Sequence, residues 1–184
     1  MLKLLAGNHE IAVDNDDSYT PGSADNQHTY DHAYHLGPDS YVSSRHSIRV
    51  TGEDRAVTSC ILTAGGGASG IHEHCAIIFD SACFIAVGPF IASLSLPTLD
   101  LIWSTQTDDA TCFGIHKPPT HNCLISHGEL LIARLPLTGT IVCQAGGADI
   151  FTNGCTVHEN SIEAVDFYDR TYSFDIETGR ESAA

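Results

Sequence analysis

The chain has 184 residues, 42% of them hydrophobic, with 23 acidic against 8 basic side chains and a formal charge of -15. That length makes one domain, and that apolar content supplies a core and argues against global disorder. The charge argues against nucleic acid and anionic membrane, which need a basic footprint, and leaves a cationic protein or a small molecule as fitting ligands.

The opening MLKLLAGNHE has one Lys and an apolar run too short for a signal peptide. Every later apolar run is interrupted before it reaches membrane-spanning length. A cytoplasmic protein is expected. Residues 1–43 are expected to be an irregular acidic segment, with one short strand at EIAV. Seven acids (Glu10, Asp14, Asp16, Asp17, Asp25, Asp31, Asp39) face Lys3 alone up to residue 40, and turn formers crowd DNDDSYTPGSADNQ. Asp14, Asp16, Ser18 and Asp25 echo a calcium loop, but Tyr19 stands where that loop needs Gly and Asp25 where it needs Glu; a solvated loop is expected.

Residues 44–184 read as a single β-repeat domain. Short apolar strings bounded by Gly, Pro, Asp or Asn predict strands at HSIRV, AVTSCILTA, CAIIFD, CFIAVG, IASLSL, LDLIWST, CFGIH, NCLISHG, LLIARLPL, TIVCQA, SIEAVDFY and TYSFDI. No sustained helical period is present, so a mainly β fold of antiparallel hairpins follows. The seven scattered Cys form no C-x-x-C and read as reduced thiols inside apolar strings.

In chain order, GGGASG (Gly65 to Gly70) has dinucleotide-loop spacing, but a strand-like string follows where a helix N-terminus must bind pyrophosphate; it reads as a turn. His72, Glu73 and His74 follow. If they lie along a strand, the two imidazoles share a face and can ligate one metal. The spacing from Gly66 is similar to the first cupin motif, although Ile78 and Phe79 occupy the places of its Glu and a second motif is missing. In DDATCF, Asp109 and Thr111 read as a turn-stabilising pair or as part of a ligand loop. His116 closes CFGIH, and CFGIH and HNC place His beside Cys112 and Cys123, a weak basis for nucleophilic catalysis. HGEL puts His127 and Glu129 into an apolar strand pair. Aligned at forty residues, His127 replaces Val87, so it is a satisfied buried group or a site residue.

The apolar pattern of ASLSLPTLDLIW returns in ARLPLTGTIV and YSFDIETGR. Leu94, Leu135 and Phe174 align, as do Thr98, Thr138 and Thr178, at spacings of 41 and 39 residues for the first set. A period near forty is that of a four-stranded propeller blade. The unit resembles the L-D-x-x-T-G-x-x-x-W hairpin of quinoprotein-like and WD-type β-propellers. GIHEHCAIIFD, DDATCFGIH, SHGELLIARL and GGADIF resemble an uncharacterised bacterial family with the same hairpins. That resemblance implies a repeat fold and no assigned activity. About three such units are expected, as a partial propeller or an open, rolled sheet.

The function expected is non-enzymatic binding of a small molecule or protein at one loop rim, by His72, Glu73, Asp109, Thr111, His116, His127 and Glu129. No cofactor is expected, and no metal. The alternative is a metal-dependent cupin-like enzyme using His72 and His74. An array of three units leaves strand edges unpaired, so a homodimer or larger oligomer is expected. Trp103 is expected to be largely buried.

Overall fold

The computed structural model describes residues 1–182, which form sixteen strands in four sheets. The first sheet contains β1 (Leu2–Ala6), β2 (His9–Asn15), β3 (His32–Leu36), β4 (Ser44–Thr51) and β5 (Val57–Ala64), ordered β1-β2-β4-β5-β3. The second runs β6 (Ala76–Phe79), β7 (Ala82–Val87), β8 (Phe90–Ser95), β9 (Leu101–Gln106). The third runs β10 (Cys112–His116), β11 (Cys123–Gly128), β12 (Leu131–Pro136), β13 (Cys143–Gly146). The fourth is β14 (Cys155–Val157), β15 (Ser161–Val165), β16 (Thr171–Asp175). No helix long and apolar enough to cross a membrane occurs among the described residues.

The sheets stack face to face, and an apolar layer fills each of the three gaps. Ile48, Leu62, Ile85, Leu94 and Leu99 lie between the first two sheets. Phe84, Ile91, Leu124 and Leu135 lie between the second and third. Ile125, Ile132, Phe151, Ile162 and Phe174 lie between the third and fourth. A strand buried on both faces needs a continuous apolar run, which is why CFIAV and NCLIS do not alternate. The aligned trio Leu94, Leu135 and Phe174 enters the three layers one after another, so the sequence repeat is a repeat of this stack.

The recurring hairpin also locks each sheet to the next. The Tyr34 hydroxyl, on β3, donates to the Leu99 carbonyl and accepts from the Leu101 N–H in the β8–β9 turn. Trp103, on β9, donates from Nε1 to the Leu137 carbonyl, and its ring covers Gly139 in the β12–β13 turn. Thr105 donates to the Gly139 carbonyl. Cys143, on β13, lies against Gly179 in the turn after β16. Leu99, Gly139 and Gly179 all have positive φ (60°, 87° and 66°), the conformation the turn requires. At Gly139 a Cβ would come within 2.5 Å of the Trp103 ring.

The acidic segment is irregular over 16–31 and 37–43, while the rest of it supplies three strands. β2 pairs with β4, and β3 lies parallel to β5, the one parallel pairing among the described strands. β1, β3 and β14 were not foreseen. Trp103, on the outer strand β9, packs against the apolar layer between the second and third sheets and is only partly exposed. Register corrects the forty-residue alignment as well. Cys83 stands opposite Leu94 and Leu124 opposite Leu135, a shift of 41, so His127 takes the place of Ala86 and not Val87. One residue of slip moves a side chain to the other face of its sheet.

Candidate functional site

The first strands of the sheets converge. β6 packs against β1 and against β10, and Cys155 at the start of β14 faces His116 at the end of β10. Beside this line of strands is a cleft of about 420 Å3, walled by His72, His74, Phe113, His116, His127 and Cys155. A second hollow of about 520 Å3 shares His74, His116 and Cys155 with it and continues along Ile77, Ile115, Pro119 and Val157. Together they form one groove, mostly apolar, with imidazoles grouped at its centre.

Backbone register explains the grouping. His127 lies opposite Gly114, and His116 opposite Ile125, so the two histidines are diagonal neighbours on one face of the β10–β11 pair. Gly114 adds no side chain between them. A bulge at Phe113 turns its ring toward His127, edge to face at 5.6 Å between centroids. His74 leans on His116 at 4.7 Å and His116 on His127 at 6.4 Å. Burial, and secondarily the neighbouring imidazoles, push His116 down to about 4, and burial lowers His127 too, so both are neutral at pH 7. Burial pushes the Cys155 thiol up to about 12. A thiol held protonated in this way is a poor nucleophile, which disfavours a Cys–His catalytic pair.

Of the residues expected at the site, His72, His116 and His127 meet in this cleft, with His74 beside them. Asp109, Thr111 and Glu129 lie outside its walls, on the neighbouring loop rim. Glu73 is exposed, 3.6 Å from His74 Nε2. Thr111 is buried and packs against Gly67, whose N–H donates to the Ala110 carbonyl; that close approach is what GGGASG provides. The carboxylate that builds this corner is Asp108, next to the expected Asp109. Asp108 is buried and accepts from the N–H groups of Ala110, Thr111, Leu130 and Leu131.

His72 and His74 do not form a chelating pair. They sit in the turn before β6, so the two-residue period of a strand does not apply to them. His72 donates from Nε2 to the Phe113 carbonyl at 2.6 Å and accepts the His74 N–H at Nδ1, so both of its ring nitrogens are taken. Nothing in this geometry favours the cupin-like alternative. The thiols are all free, five buried, with Cys143 and Cys155 half-buried. Sequence reasoning missed Phe113, Thr152 and Cys155. For Cys155 the available signal was a Cys after Gly154 at the head of a very short strand.

A second polar constellation was also missed. His46, fully buried, bonds Asn15 Oδ1 through Nδ1 and Ser69 Oγ through Nε2, each at 2.8 Å. The Ser–His–Asn order is that of a nucleophilic triad. However, Ser69 Oγ also contacts Ser44 Oγ and accepts the Gly88 N–H, so the hydroxyl is committed to holding the first two sheets together.

Neither a known sequence family nor a curated protein matches the chain. Solved structures share its fold. The computationally designed Ika8 protein superposes with a TM-score of 0.54 at 12% identity, over 98% of this chain and 59% of its own. The computationally designed Ika4 protein gives 0.51 at 12%, over 65% and 78%. A chain of the Mitotic Checkpoint Complex gives 0.50 at 7%, over 77% and 46%. The chain thus spans less than two thirds of two of these structures, and at such identities the likeness is one of fold.

Proposed function

We propose that the chain is a binding protein, and that its ligand is a small molecule seated in the groove beside β6, β10 and β14. The observation that carries this reading is the groove itself: two joined hollows of about 420 and 520 Å3, with an apolar wall and imidazoles converging at the centre. That is the size and lining of a small-ligand site. Its chemistry selects further. No carboxylate lines either hollow among the described residues, and Lys117 stands at the far end. The fitting ligand has an aromatic or aliphatic body and an anionic or hydrogen-bonding head. A cationic protein finds its charge complement elsewhere, on the acidic exterior. The shared fold with a chain of the Mitotic Checkpoint Complex is compatible with a scaffold that offers surfaces rather than reactive groups.

The test is saturation-transfer NMR on the metal-free protein with a panel of aromatic carboxylic acids. Thr152 is exposed on the cleft wall, so Thr152→Trp fills the opening without touching the core. Binding acids that compete with one another and are lost in Thr152→Trp support the reading. An absence of binding, or binding unchanged by the Trp, refutes it.

A further inference from the structure

Within the groove, three side chains have the chemistry of a metal site. One ligand atom each from His116, His127 and Cys155 lie within 4.8 Å of one another. A tetrahedral ion with bonds of about 2.0–2.3 Å needs donors roughly 3.3–3.8 Å apart, so a closure of about 1 Å by side-chain rotation brings them into range. The three come from three different strands, β10, β11 and β14, so the site joins the third sheet to the fourth.

The outer partners suit the same role. His127 donates from Nε2 to the Phe151 carbonyl, which fixes its tautomer and leaves the Nδ1 lone pair free, as metal-bound histidines commonly arrange. His116 is mostly buried, and neither of its ring nitrogens has a hydrogen-bond partner among the described residues. Two imidazoles and a thiol, with no carboxylate among them, exclude the oxygen-seeking cations calcium and magnesium. A copper electron-transfer site would want a thioether at the axial position, and the only methionine, Met1, precedes β1 in the first sheet.

We propose that His116, His127 and Cys155 bind one zinc ion, with its fourth coordination position open to the cleft. The proposal goes beyond the ligand reading and stands or falls apart from it. Acids can bind the metal-free groove without zinc ever binding, and zinc can bind where no acid does. Coordination replaces the S–H bond of Cys155 by an S–Zn bond. The thiol proton leaves to solvent, and no oxidation change is involved.

Cobalt(II) serves as the coloured probe. Metal-stripped protein is titrated with cobalt(II) and then with zinc(II), with heat measured in two buffers of different ionisation enthalpy. The expected result is one equivalent of cobalt with a thiolate-to-metal charge-transfer band, displacement by zinc, and about one proton released per ion at pH 7. Cys155→Ser, at a half-buried position, should abolish the band and weaken zinc at least 100-fold. His116→Gln should weaken zinc similarly while circular dichroism stays that of the parent. No band, or a band that survives Cys155→Ser and so belongs to another thiol, overturns the proposal. So does zinc affinity unchanged in His116→Gln.

Discussion

Asp108 shows how much one side chain can fix. Its two oxygens accept four backbone N–H groups from two loops, tying the β9–β10 corner to the β11–β12 turn. Truncation leaves several buried donors without partners, so Asp108→Ala should cost about 3–5 kcal/mol in urea unfolding. A loss below about 1 kcal/mol would show that water replaces the carboxylate. His46 gives a pH signature. Burial pushes its imidazole down to about 4 from 6.5, so the unfolded chain takes up the proton first as pH falls. Its contribution is complete above pH 6.5 and lost progressively toward pH 4, by about 3 kcal/mol at the lower limit. His46→Gln should flatten the urea midpoint between pH 6.5 and 4.5 relative to the parent; an equal slope in both proteins sinks this assignment. Neither residue was legible in the sequence as important. Asp108 looks like its neighbour Asp109 until the chain is folded, and His46 gains its meaning from Asn15 and Ser69, distant in sequence. The histidines of the cleft were partly legible. His116 and His127 stand out as polar residues within apolar strings, whereas Cys155 looks like any other thiol.

At the scale of elements, each of the twelve strings read as strands contains a strand, although TIVCQA and SIEAVDFY are extended only in part. Length and apolar content identify a buried strand without knowledge of its partners. The strands not foreseen lack that signal: LKLLA borders the charged opening, HAYHL pairs in parallel with a strand some 28 residues away, and CTV is three residues long. Pairing register was the weaker inference. The forty-residue spacing sets His127 against Val87, one residue from its true counterpart and so on the wrong face of its sheet. The hairpin lock gives a test of the repeat. Gly139→Ala meets both positive φ and the Trp103 ring, and should cost about 2–4 kcal/mol. Trp103→Ala, half-buried, should cost about 2–3 kcal/mol. In the double variant the steric part of the Gly139 cost disappears while the backbone part stays. The two changes should therefore combine to less than their sum by about 1 kcal/mol. Strict additivity would mean that ring and turn are not packed together.

At the scale of the whole molecule, four sheets in a row end in outer strands; residues 180–182 fold back along β16, where the Asp175 N–H donates to the Arg180 carbonyl and the Ser182 N–H to the Ser173 carbonyl, while β9 and β13 end the second and third sheets. The edge argument therefore rests on β9 and β13. Pairing of such edges with a second copy predicts a mass well above 19.7 kDa by light scattering at micromolar concentration and physiological salt. A monomer there would show that charge and edge irregularity suffice to block pairing. The overall stack was legible because a forty-residue period survives in the apolar pattern, but which strands converge on the groove was not, since that depends on how the sheets lie against one another. The locks also rank the joints between sheets. In the recurring hairpin, two hydrogen bonds to one phenol hold the first joint, an indole ring with two hydrogen bonds the second, and a thiol against a glycine the third, where the Thr120 hydroxyl and His121 Nε2 also donate to the Glu159 carbonyl. A linear array with nearest-neighbour couplings comes apart at its weakest coupling, so the protein should fray from its C-terminal end while the remainder stays folded. In hydrogen exchange followed by mass spectrometry, β15 amides should open at distinctly lower free energy than those of β7 and β8. Uniform protection across all four sheets would instead make the stack a single cooperative unit.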